Sequence, residues 1–408
     1  MGKKLLAVMA AVFCVSSAAL GYAGYQAAVK AEAEGFALDQ FRWIISLTSD
    51  YAMIEDSGMK GGYFSATLKD GDSAALLNRE GQEVDRVDLS YIQGWKDYYW
   101  FTKGDKMGCR YADGSVMIPA EFDDIRDFDG GYALAQKDGE DVAINTAGEV
   151  VYRFEGWEDT VSHVDGAYFC EEAAGGVFRV IDVSDGSVVR EWRTSECSQL
   201  QKCAAGIYAA ANASGLHYFM NNDFEIIFDG KMFEDTGQRY SEGLIYGEWI
   251  ANGSWEQIPD KDERQIRRGY FDYYGDLVVE IEEDSIYEGE FSDGKALIYG
   301  RGKVWCVDKT GRKLFEMPLK KKISSPTWNG GVGPVLTWGY ILPGCRFSGG
   351  VAPLYDGEKM GLIDEEGNWI MQPVFDDMDV LGFNWIAVEY RGMWGVLDGG
   401  DLLAREVS

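Results

Sequence analysis

Three kinds of residue in this chain could do chemistry: a serine backed by histidine, a pair of carboxylates, or thiols grouped with imidazoles. A serine nucleophile needs a histidine base held by a third group. Ser73, in Gly71-Asp-Ser-Ala74, is the candidate, but only His163 and His217 are available and no Asp-x-x-His follows. Ser73 is read instead as a hairpin residue, at the place where the repeat described below puts Lys359. Seven cysteines form no Cys-x-x-Cys, and with two histidines a zinc site is not expected. Paired acids hydrolyse glycosides only at a set separation across a cleft, and 68 acidic residues single out no pair. Asp123-Asp124 and Asp376-Asp377 recur at one place in the repeat. They are read as turn residues, because nothing has the ligand spacing of an EF-hand loop. No glycine-rich phosphate loop opens a helix. The chain is therefore expected to carry no catalytic residue, metal or cofactor.

Aromatic side chains remain. Two insertions escape the repeat: Glu248–Arg268, with Trp249 and Trp255, and Lys320–Arg346, with Trp328, Trp338 and Tyr340. Long loops on a rigid scaffold are where binding residues collect. These five aromatics are the candidate binding residues. Lys320-Lys-Lys322 is read as a solvated loop.

The elements that position such loops are written as a phrase of roughly 35 residues, used about nine times, and such self-similarity means a repeat architecture. Its openings fall at Gly62, Asp97, Gly131, Gly166, Gly206, Gly243, Gly294, Gly350 and Asn384. Each begins an alternating run, as in Gly131-Tyr-Ala-Leu-Ala-Gln-Lys-Asp-Gly139, the period of a half-buried strand. A second run ends in Asx-x-x-Gly, as at Asn78–Gly81, Asn145–Gly148, Asp308–Gly311 and Asp364–Gly367. There the Asx side chain caps a type I turn and glycine accepts positive φ. Lys106-Met-Gly108, Asp113-Gly-Ser-Val-Met-Ile-Pro119 and Phe122-Asp-Asp124 realign with Lys359-Met-Gly361, Glu366-Gly-Asn-Trp-Ile-Met-Gln-Pro373 and Phe375-Asp-Asp377.

This pattern, with Gly392-Met-Trp-Gly395-Val-Leu-Asp398, resembles the bacterial WG-repeat (KWG-type) proteins. The resemblance is sharpest over residues 99–150 and 349–400. Between 160 and 300 it is faint, and Val142, Val180 or Trp305 replaces the glycine of the dipeptide elsewhere. It implies a repeat fold and transfers no catalytic residue.

Small sheets must cover their edges, and radial closure does so with least edge left over. The expected fold is therefore an all-β propeller of about nine units, with an open curved β-solenoid as the alternative. The last unit is short, and the apolar segments Phe41–Leu47 and Tyr51–Glu55 precede the first. The N-terminal stretch is expected to supply strands to the final unit and close the ring.

Lys3-Lys4 and a charge-free run from Leu5 to Val29 read as a signal peptide or a retained membrane anchor over residues 1–30. The repeat domain, 31–408, is expected outside the cytoplasm, secreted or attached through that apolar segment. Cys197 and Cys203 are the nearest candidate disulfide pair. The net charge of −30 argues against nucleic-acid partners. The expected function is non-catalytic binding or scaffolding of an unknown protein or glycan at the cell surface. The alternative is a propeller-type carbohydrate-active enzyme using paired carboxylates.

Overall fold

The Asx-x-x-Gly sequences close hairpins as their chemistry requires. In the computed structural model the Gly81 N–H donates to the Asn78 carbonyl at 2.9 Å. The Asn78 side-chain oxygen accepts from the N–H groups of Glu80 and Gln82 at 3.0 and 2.9 Å. Gly148, Gly311 and Gly367 repeat the closure on Asn145, Asp308 and Asp364. These four glycines have φ between 73° and 82°, the left-handed region that costs other residues most. Phe224 takes the glycine's place after Asn221, with φ 55°. A bulky residue there stores strain of about 1–3 kcal/mol, offset by the packing of its ring in a buried cluster.

The structure describes residues 42–400 apart from 90–91, 93, 155–160, 205, 214–216, 228–239, 251–262, 264, 282–284, 324–344 and 382–384. Among the described residues the hairpins assemble into nine small antiparallel sheets, seven of four strands and two of three. Strand order within blades 1 to 8 follows the chain. The blades span 51–87, 94–122, 124–153, 162–193, 199–220, 240–280, 285–318 and 351–375. The ninth takes three strands from 377–398 and its fourth, Arg42–Thr48, from the other end of the chain. The chain is thus a nine-bladed β-propeller, and the open solenoid is not formed.

Alternating runs predict strands with one wet face, and the first and fourth strands have much of that character. The fourth strand of blade 4, Ser187–Arg193, is almost wholly exposed. The middle strands differ. Ala74–Leu77 and Val351–Tyr355 are buried at every position, because a blade is covered on both sides. Ala75 and Leu77 pack towards blade 9, while Ala74 and Leu76 pack towards blade 2. Apolar clusters of this kind fill every junction around the ring. Across the seam between blades 9 and 1, Phe64 meets Trp385 edge-on at 4.9 Å, a contact worth about 0.5–1.5 kcal/mol beyond its buried area.

The expected closure by the N-terminal stretch is therefore present, divided in two. Arg42–Thr48 pairs antiparallel with Met393–Asp398 of blade 9, and Tyr51–Asp56 begins blade 1. Residues 1–41, including the segment read as a signal or anchor, lie outside the described residues. Among the described residues no helix is long and apolar enough to cross a membrane.

The disulfide expectation is not met, for a geometric reason. Cys197 and Cys203 are free thiols. Cys197 packs between blades 4 and 5, whereas Cys203 packs against the cluster between blades 5 and 6. Burial pushes both thiols up to about 11, so they stay protonated and unreactive near neutrality.

Candidate functional site

First strands of neighbouring blades lie against one another, as in blades 4 and 5, 5 and 6, and 9 and 1. They therefore face the axis, while the exposed fourth strands form the rim. Against the first strands of blades 3, 4 and 5 lies a cavity of about 1070 Å³, at the upper end of ordinary ligand pockets, roughly 300–1,000 Å³.

Local sequence explains its lining. In Gln199–Ala204, Leu200 is buried while its neighbours Gln199 and Gln201 are exposed at the cavity. In blade 3 the run Asp124-Ile-Arg-Asp127 buries Ile125 and leaves the charged groups at the opening. Trp100, on the second strand of blade 2, and Phe178 of blade 4 supply apolar wall.

Several polar groups here hold blades together. Lys202 Nζ of blade 5 donates to Asp129 at 2.9 Å and to Asp165 at 2.5 Å. Tyr208 donates its hydroxyl to the other oxygen of Asp165 at 2.9 Å. Burial works to raise the Asp129 carboxyl, but Lys202 holds it below the usual carboxylate range. Arg126 Nε donates to Asp124 at 3.1 Å. Asp127 reaches solvent through the cavity, yet loss of hydration against the wall raises its carboxyl. His163 is stacked on Phe169, with ring centroids 4.2 Å apart, and donates Nε2–H to the Gly166 carbonyl at 2.7 Å. Burial lowers its pKa, so the imidazole is neutral at pH 7. Ser162, beside it, is 2.8 Å from the Cys170 sulfur.

A second axial group lies at the seam. Asp379 of blade 9, with Asp377 two residues before it on the same strand, faces Glu55 and Asp56 of blade 1 across adjoining first strands. Burial raises the carboxyls of Asp377, Asp379 and Glu55, and Asp379 adds its charge to the effect on Glu55. Among the described residues no group of three or more His, Cys, Asp or Glu is placed to hold a metal ion.

The sequence candidates sort unevenly. Trp249 falls on a strand, where Glu248, Trp249 and Ile250 pair with Arg268, Arg267 and Ile266. The first insertion thus begins as an extension of the blade 6 hairpin. Trp255, Trp328, Trp338 and Tyr340 lie outside the described residues. Lys320 and Lys321, read as a solvated run, both clamp Glu358, Lys321 at 2.6 Å. Ser73 lies in an exposed turn and donates its hydroxyl to Asp70 at 2.7 Å.

Asp123 and Asp376 have the structural role expected of them. Asp123 accepts from Lys106 at 2.5 Å and from the Gly139 N–H at 3.3 Å. Asp376 accepts from Lys359 and from the Arg391 N–H at 2.6 Å. The repeat's lysine therefore clasps the next blade, and that blade's hairpin completes the clasp. Sequence reading missed the axial cavity, and it missed a further copy of the repeat glycine at Gly269. Its signal was Asp272-x-x-Gly275 three residues later, the spacing that Gly361 has to Asp364-x-x-Gly367.

Residues 112–140 and 360–394 match the family model described as WG containing repeat. No curated protein matches the chain in sequence. Among solved structures, a eukaryotic initiation factor is 10% identical, covering 82% of this chain and 90% of its own at TM-score 0.53. Sqt1 of Saccharomyces cerevisiae is 10% identical over 87% of this chain and 97% of its own, at TM-score 0.41. BamB of Moraxella catarrhalis is 13% identical over 86% and 100%, at TM-score 0.37. At this identity the likeness to the initiation factor is one of fold.

Proposed function

We propose that this chain, a nine-bladed propeller carrying WG-type repeats, is a non-catalytic binding and scaffolding protein that works outside the cytoplasm, on a protein or glycan of the cell surface. The observation that carries the reading is the commitment of several of the polar groups beside the cavity. Asp129 and Asp165 are held by Lys202, Asp124 is paired with Arg126, and His163 is stacked with its N–H engaged. A nucleophile and base poised for chemistry would need free, mutually oriented groups. The location rests on the apolar N-terminal segment of the sequence. Affinity capture from cell-envelope extracts, together with glycan-array screening of the full chain, tests the reading. Retention of a defined surface component without its conversion is the expected result.

A second reading, a carbohydrate-active hydrolase, draws on one observation. Asp127 and Asp129 line one cavity with their carboxyls shifted in opposite directions, the arrangement that separates an acid from a base. Polysaccharide hydrolysis by the purified protein, abolished by Asp127→Asn, would replace the non-catalytic reading with this one.

A further inference from the structure

We infer that the turn Asp272-Tyr-Tyr-Gly-Asp276 of blade 6 is a docking surface for a basic segment of a partner protein, whose lysine or arginine side chains meet the rings of Tyr273 and Tyr274 and the carboxylates of Asp272 and Asp276. This rests on the reading of the chain as a binding protein and names the place and the kind of partner. The turn lies at the far end of the strand Ile266–Phe271 from Trp249, so it is separate from the first insertion.

The first argument is the exposed aromatic pair. Tyr274 is 79% exposed, more than any other large apolar side chain among the described residues, and Tyr273 is 41% exposed. Their rings meet edge-on with centroids 5.7 Å apart, so they form one patch. The turn itself does not need them. The Gly275 N–H donates to the Asp272 carbonyl at 3.0 Å, and the Asp272 side chain accepts from the N–H groups of Tyr274 and Asp276 at 2.9 and 3.0 Å. At the same two positions other turns hold Arg79-Glu80, Thr146-Ala147, Lys309-Thr310 and Glu365-Glu366. Tyrosine left in water on a surface turn is the residue type that interfaces favour as an anchor.

Charge complementarity selects the partner. In four other turns the first and fifth side chains form a donor–acceptor pair. Asn78 Nδ2 donates to Gln82 at 3.2 Å, Asn145 Nδ2 to Glu149 at 2.9 Å, Arg312 Nε to Asp308 at 3.0 Å and Asn368 Nδ2 to Asp364 at 3.0 Å. In blade 6 both positions are carboxylates, and neither has a cationic partner among the described residues. A positively charged donor from outside completes this turn as Arg312 completes that of blade 7. The same cation over a tyrosine face gains about 0.5–1 kcal/mol at an exposed site. Each contact is small on an open turn, so a lone amine is held weakly and a segment engaging several groups at once is favoured. The net charge of −30 attracts a basic segment and repels an acidic one.

The test titrates the full chain, by fluorescence anisotropy at physiological ionic strength, into short labelled peptides of equal length that carry Arg, Lys, Glu or only neutral residues. Wild type is compared with Tyr273→Ser plus Tyr274→Ser, with Asp276→Arg, and with Glu366→Arg as a control. Glu366 is an exposed residue of the blade 8 turn, so the control makes the same charge change elsewhere. Asp276→Arg copies the Asp308–Arg312 arrangement of blade 7, and all the changed side chains are exposed, so the fold is kept. Expected is binding of the Arg or Lys peptides, weakened about tenfold by the double tyrosine change and by Asp276→Arg, and less than about twofold by Glu366→Arg. Basic peptides held equally by all four proteins overturn the assignment, because general attraction to an acidic surface then explains the binding. Preference for neutral or acidic peptides, no retention of any peptide, or a neutral glycan whose binding the tyrosine change abolishes also overturns it. The broader binding-protein reading fails separately, when capture from envelope extracts retains nothing.

Discussion

A Cβ placed on Gly395 would lie 2.8 Å from the carbonyl oxygen of Ile45. Gly108 makes the same approach to Ile118 at 2.5 Å, Gly361 to Met371 at 2.6 Å and Gly269 to Val279 at 2.2 Å. In blades 2, 6 and 9 a third-strand glycine lies beneath the backbone of the fourth strand, and in three-stranded blade 8 Gly361 of the second strand lies beneath the third. In blade 9 that fourth strand comes from the N-terminus. Gly81 of blade 1 likewise packs on Ile45, as Gly148 packs on Ile118 and Gly367 on Phe315 of the preceding blades. The closing strand thus makes both contacts of an ordinary fourth strand.

Gly395→Ala is expected to destabilise the protein by about 1–3 kcal/mol, the usual cost of forcing volume into a packed site. The glycine gives space here rather than a left-handed backbone. Chemical denaturation measures the loss. Hydrogen exchange of 42–48 should rise more than that of blades 3 to 5.

Asp376→Ala removes the acceptor shared by Lys359 Nζ and the Arg391 N–H. The pair is about one-third exposed on each side, so the ion pair itself is worth little, and the lost backbone hydrogen bond adds to it. A loss of about 1–2 kcal/mol is expected. Lys359→Met should cost less than Asp376→Ala, because the backbone bond survives.

Phe224→Gly should relieve strain and lose more than it gains. The left-handed conformation costs phenylalanine about 1–3 kcal/mol, whereas removing a buried phenylalanine ring costs about 3–5 kcal/mol. Net destabilisation in a denaturant melt is the expected result. Asn221-x-x-Phe224 also shows why the middle units read faintly in sequence. A core contact between blades 4 and 5 replaced the glycine that marks the turn.

What the sequence made legible was local. Asx-x-x-Gly, the glycine openings and the Lys/Asp pairs each act within a unit or between neighbours, so their spacing announces them. The axial cavity was not legible, because Trp100, Glu172 and Gln201, which line it, sit at unrelated places in three different units. Alternation also misled at the middle strands. Ala74–Leu77 is apolar throughout, since each face meets another blade.

At the seam, burial raises the carboxyls of Asp379, Glu55 and Asp377, and Asp377 and Asp56 add their charge at Asp379 against the opposing Arg346. In the window between the unfolded values, about 4, and the raised folded values, the folded state binds more protons than the unfolded. Stability contributed by these groups therefore falls as pH rises through that window and grows as pH drops through it. Asp379→Asn should raise the thermal midpoint at pH 7 and change it little near pH 4. A lower midpoint at pH 7 would contradict the sign.

The ring is closed by the N-terminal strand, and one cross-link tests that directly. Arg42 lies opposite Asp398 in the closing pair, a cross-strand spacing of about 4.5–5.5 Å between Cα atoms that a disulfide can bridge. The account predicts that Arg42→Cys with Asp398→Cys forms an intramolecular disulfide on mild oxidation, seen as a 42–398 peptide link in the monomer. No link, or a link only between two chains, would contradict the closed ring.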